Sequence, residues 1–122
     1  MVALPSDQVS RAEYNRRLGV IDVLVMPFDD GEMLTTGTVG DAVGLGLPSL
    51  VSDWPYLAEA LGDAGIRYGT SAADLTRCLD ALDTAQLDRA AKAAARLQHA
   101  YDWTAVAERH FSLLAEIGTA KL

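Results

Sequence analysis

The sequence predicts an α/β fold in which three short parallel strands are flanked by helices and the chain closes in a run of helices. Three observations carry this. Apolar runs alternate with amphipathic segments over residues 10–70, as strand–helix–strand units do. The apolar runs are continuous rather than alternating, which suits strands covered on both faces. Beyond residue 70 the apolar residues recur at helical spacing. With 122 residues the chain amounts to one domain or less and reads as a single unit over 1–122.

Ser10 and Glu13 have the spacing of a capping box. The helix they open, about ten residues long, places Tyr14, Leu18 and Ile21 on one face. Residues 22–27 then read as a buried strand, which Asp29, Asp30 and Gly31 end with turn chemistry. A helix follows over 38–45 despite its glycines, stopped by Gly46 and Pro48. Residues 49–52 form a second buried strand, and Asp53 is the expected N-cap of a helix running to Leu61. Residues 66–68 give a short third strand.

Thr70 or Ser71 caps the next helix, whose stripe is Leu75, Cys78, Leu79 and Leu82. Asp83 and Gln86 open another, with Leu87, Ala91, Ala94 and Leu97 on one side; the stripes of this helix and the next read as core or domain-interface surface. Asp102 caps the last, where Trp103, Val106, Ala107, Phe111 and Leu114 recur and Trp103 is expected to anchor the packing. The strand at 23–26 reads as a central one, yet residues 1–21 hold only a stub and one helix. A neighbouring strand is therefore expected from elsewhere, and an exposed edge that favours association.

Ten basic residues against seventeen acidic ones give a net charge of −7, which argues against nucleic acid and anionic membranes as partners. No apolar stretch reaches the ~20 residues of a membrane span, and the N-terminus lacks the pattern of a signal peptide. A soluble, cytoplasmic protein is expected. The single cysteine, Cys78, excludes an internal disulfide and a Cys-rich zinc site; it reads as a small core hydrophobe. His99 and His110 have no ligand spacing and read as surface or core-edge residues.

In open α/β sheets ligands bind beyond the carboxyl ends of the strands, where strand order reverses. Here the first strand leads into Thr35, Thr36, Gly37 and Thr38, which open a helix. Such a turn offers backbone N–H groups, hydroxyls and the positive end of the helix dipole, the parts that hold a phosphate or diphosphate. Asp41, one turn on, is placed to accept hydrogen bonds from a ribose diol. The same residues also serve as ordinary loop and cap residues. Trp54, just past a strand end, is a further candidate for ligand contact.

The segment 22–59 resembles the signature region of retaining GT-B glycosyltransferases, the group 1 type. Asp22, Val23 and Pro27, then Gly46, Leu47 and Pro48, then Ser52, Asp53 and Glu59 stand in that family's register. Tyr101, Asp102 and Trp103, followed by Val106, Ala107 and Glu108, are similar to the opening of its last helix. The resemblance implies a partial Rossmann-like domain, the C-terminal donor-binding part, lacking its first strands and the N-terminal acceptor domain. It implies transfer of a sugar from a nucleotide diphosphate donor to an acceptor hydroxyl, with no cofactor and no metal.

On that resemblance Thr35, Thr36, Gly37 and Thr38 take the donor diphosphate, Asp41 the ribose and Glu32 the sugar, with Glu59 a further donor-side candidate. The family's paired glutamates fall on Met33 and Asp41, so only the second acidic position is kept, and Glu32 inherits the first if the loop shifts by one. The implied partner is a complementary N-terminal chain, or a second copy through the sheet edge; the chain alone is not expected to be catalytically competent. Two alternatives stand beside this. One is a non-catalytic α/β module that binds a partner chain. The other is a degenerate phospho-receiver domain suggested by Asp29 and Asp30, which lacks its lysine because Lys92 falls in a helix.

Overall fold

The computed structural model describes residues 8–32 and 36–119. Among them the elements run α1 Arg11–Leu18, β1 Leu24–Met26, α2 Gly37–Leu45, β2 Ser49–Ser52, α3 Pro55–Leu61, a 3₁₀ turn at Gly62–Ala64, β3 Gly65–Gly69, α4 Ala72–Ala81, α5 Thr84–Ala100 and α6 Trp103–Thr119. The three strands form one parallel sheet in the order β1-β2-β3. This is the expected small α/β fold. Strand order follows chain order, so the described sheet contains no reversal, and one outer edge of β1 is unpaired within it.

Register explains what is buried. Leu24, Val25 and Met26 lie opposite Ser49, Leu50 and Val51, so Met26 and Val51 share a face and Val25 and Leu50 share the other. On the first face Met26, Val51, Val39, Ala42, Leu57 and Leu61 form the main core beneath α2 and α3. Each large side chain sequestered there contributes about 1.5–3 kcal/mol. β2 is wholly buried. β1 was expected to be covered on both faces and is not: Val25 is 39% exposed, because β1 is the margin of the described sheet and no described element covers that face.

Several ends differ from expectation. α1 has eight residues and its capping box is half formed. Ser10 Oγ accepts from the Glu13 N–H at 3.2 Å, but the Glu13 carboxylate turns to Arg16 and Arg17, at 2.7 and 2.8 Å. α3 is capped at Trp54 rather than Asp53. Pro55 fixes the backbone at the first helical position, while the Asp53 N–H donates to the Gly69 carbonyl at 2.8 Å and its carboxylate faces Arg67 at 3.8 Å. Gly46 ends α2 in the left-handed region at φ 63°, with the Leu47 N–H closing back to the Ala42 carbonyl at 2.9 Å. The Gln98 amide donates to the Gly44 carbonyl at 2.9 Å, latching α5 to that helix end.

The closing helices begin where expected. Ser71 with Asp74 and Asp83 with Gln86 form complete capping boxes, and the Asp102 carboxylate accepts from the Ala105 N–H at 2.7 Å. Their burial is less than the periodicity suggests. α5 buries Ala90, Ala93 and Ala94, the last two against Ala64, leaving Ala91 exposed. α4 buries no residue fully, so Cys78 is half-buried and Leu79 is exposed; that partial desolvation still raises the Cys78 thiol pKa.

On α6 the correction is Trp103, the expected packing anchor. Trp103 is 90% exposed and Phe111 71%, with Leu113, Leu114 and Ile117 also outward. Trp103 anchors nothing among the described residues, because α5 is the one substantial neighbour α6 has there.

Candidate functional site

The segment after β1 is held from below by the end of β2. The Phe28 carbonyl accepts from Ser52 Oγ at 2.5 Å and from Trp54 Nε1 at 2.8 Å, and Ser52 Oγ also lies 3.3 Å from the Met26 carbonyl. Ser52 is fully buried, so these bonds satisfy a hydroxyl that has no access to water. The Trp54 ring packs under the turn: a Cβ added at Gly31 would sit 2.9 Å from its Cε3 and Cζ3 atoms. Trp54 is thus committed to holding the turn. Asp30 Oδ1 accepts from the Glu32 N–H at 2.9 Å, the turn role expected for the aspartate pair. Glu32 itself is exposed.

Met33, Leu34 and Thr35 lie outside the described residues, so the Thr35 assignment and the choice between Glu32 and Met33 fall there too. Thr36 caps α2, its Oγ1 accepting from the Thr38 N–H at 3.3 Å. The cap leaves the hydroxyl hydrogen available, and the first-turn N–H groups of a helix have no intrahelical acceptor. Gly37 is exposed, and among the described residues nothing beyond its chain neighbours and its own helix backbone comes within 4 Å of the position a Cβ would take. Thr36, Gly37 and Thr38 therefore form a neutral, donor-bearing helix end at the carboxyl edge of the sheet.

Asp41 sits one turn farther on and is already engaged. Tyr14 Oη donates to its Oδ2 at 2.8 Å and Arg11 Nη2 to its Oδ1 at 3.2 Å. Both donors come from α1, and the Arg11 guanidinium also lies 5.2 Å from the Tyr14 ring centroid. The bond to Asp41, followed by desolvation, raises the Tyr14 pKa. Neither Arg11 nor Tyr14 was singled out for this role from the sequence; their i, i+3 spacing on a helix was the available signal. Among the described residues Arg11 is the one cation ion-paired to α2.

Glu59 is not brought to this end. It is exposed on α3 and lines a cavity of about 340 Å3 with Asp63, Arg96 and Tyr101. His99 and His110 are both exposed, His110 Nδ1 lying 2.8 Å from the Val106 carbonyl of its own helix. No group of three or more His, Cys, Asp or Glu poised for a metal occurs among the described residues. No helix among them is long and apolar enough to cross a membrane. Comparison with family models, with curated proteins and with solved structures returns no match.

Proposed function

We propose that the chain is the nucleotide-sugar donor-binding portion of a glycosyltransferase of the GT-B kind, transferring a sugar from a nucleotide diphosphate to an acceptor hydroxyl when completed by an acceptor-side partner. The observation that carries the reading is the threonine-capped start of α2 at the carboxyl edge of a parallel sheet, with Asp41 one turn behind it. In this reading the donors of Thr36, Gly37 and Thr38 stabilise charge on the departing diphosphate. Asp41 receives the ribose and Glu32 the sugar. Arg11, swung from Asp41 toward the helix end, supplies a positive charge that the turn itself lacks.

The unpaired edge of β1 supports the need for a complement. A crevice at a point of strand reversal requires a further strand beside β1, and the apolar face of α6 offers a surface for the same partner. That face also favours a second reading, a non-catalytic module whose task is to bind a partner chain.

Calorimetric titration with uridine and guanosine diphosphates separates the two. The transferase reading expects saturable binding of one of them, weakened by Thr36→Val and kept by Thr36→Ser. Thermal melts accompany both variants, since losing the cap costs about 1 kcal/mol of stability. Absence of binding by the chain, alone or with an acceptor-side partner, would sink the donor assignment and leave the partner-binding module.

A further inference from the structure

The described cations are almost all engaged. Arg11, Arg16, Arg17, Arg67 and Arg77 each meet a carboxylate, and Arg109 donates to the Ala100 carbonyl and covers the Tyr101 ring. Three remain without an ion pair or hydrogen bond among the described residues: Arg89, Lys92 and Arg96. All three line a single cavity of about 430 Å3 between α5 and the start of β3. They stand at i, i+3 and i+7 of α5, so they share one helical face. Like charges at such spacing disfavour a helix by a few tenths of a kcal/mol per pair.

This convergence is unusual in a chain of net charge −7, where random placement would set cations beside carboxylates. Among the described residues the one carboxylate lining the cavity, Asp63, is ion-paired to none of the three cations, and Gln86 adds a neutral amide. Gly65 and the buried Ala90 complete the lining. A volume of this size suits a small molecule rather than a flat macromolecular contact, and guanidinium groups pair with phosphate oxygens by short, charge-assisted hydrogen bonds.

We propose that the cavity formed by Arg89, Lys92 and Arg96 is a binding site for a small phosphate-bearing anion. It lies at the amino ends of the strands, opposite the start of α2, and is independent of the donor reading. Arg89 and Arg96 grip phosphate oxygens from two turns of α5, and Lys92 between them adds a point charge. Asp63 restricts the site to ligands whose negative charge is concentrated at the α5 side.

The test is a titration of the full chain with inorganic pyrophosphate, followed by amide chemical shifts. Saturable shifts are expected at Gly65, Arg89, Ala90, Lys92 and Arg96, weakening as sodium chloride is raised. Arg89→Gln with Arg96→Gln should weaken binding at least about tenfold, the loss of a charge-assisted bond, whereas Arg89→Lys with Arg96→Lys should retain part of it. Thr36→Val should leave these shifts unchanged, which separates this site from the start of α2. These side chains are exposed and the thermal midpoint should not move. Non-saturable shifts, shifts confined to α2, or affinity unchanged in the glutamine variant would overturn the proposal.

Discussion

Tyr14 and Asp41, 27 residues apart, are joined by a 2.8 Å hydrogen bond that ties α1 to α2. Together with Arg11 it occupies both oxygens of the carboxylate. Tyr14→Phe removes one donor and keeps the ring. The unfolding free energy should fall by about 1 kcal/mol, the usual net worth of such a bond, read as a lower urea midpoint. If Asp41 holds a ribose, the freed oxygen should make nucleoside diphosphate binding tighter, not weaker, in the same variant.

Gly31→Ala should perturb the segment after β1 through Trp54. The new methyl would meet the ring at 2.9 Å, so the ring or the turn must shift, straining the Trp54 bond to the Phe28 carbonyl. A destabilisation of about 1–3 kcal/mol is expected, as for other overpacked sites. In a Trp103→Phe background Trp54 is the remaining tryptophan, so its emission should move to the red in the same variant.

Acid should loosen α1 and α4 before it reaches the core. Glu13 is lowered to about 2, first by its hydrogen bond to Arg16 and then by that to Arg17. Asp74 is lowered by the Ser71 hydroxyl and by the Ser71 and Thr70 backbone N–H groups. A carboxylate depressed in the folded state stabilises it above its unfolded pKa, and that contribution is lost as pH falls toward the folded value. For Glu13 the window runs from 4.5 down to about 2. Helical circular dichroism should decline over this range at low salt, and Glu13→Gln should remove part of the decline.

Phe111→Glu and Leu114→Glu should leave the unfolding free energy of the chain nearly unchanged, within about 0.5 kcal/mol, because both positions are more than half exposed. Any association through the α6 face should weaken, which sedimentation velocity reads as a shift toward a smaller species.

Element type and order were legible from local chemistry. Ser71, Asp83 and Asp102 announced their helices because a cap is a contact across three residues, and Gly46 announced a stop because only a left-handed residue fits there. Burial was less legible. Periodicity marks an apolar face without saying whether anything lies against it, so of the stripe expected on α5 only Ala94 is fully buried, beside Ala90 and Ala93, and the stripe on α6 stays largely exposed. The site was legible in part. The cap by Thr36 and the turn role of Asp30 follow from neighbours in sequence, whereas the engagement of Asp41 by Tyr14 and Arg11, and the use of Trp54 to hold a turn, depend on residues some 25 positions away or more.

By itself, then, the sequence determined the α/β class, the order of its elements and the threonine-capped start of α2, since each rests on spacing of a few residues. Tertiary structure alone decided that Asp41 is held by α1, that the apolar face of α6 stays exposed and that three cations without an ion pair among the described residues meet at one cavity. Those outcomes turn on how elements distant in the chain approach one another, and hydrogen bonds, burial and charge are all set at that approach.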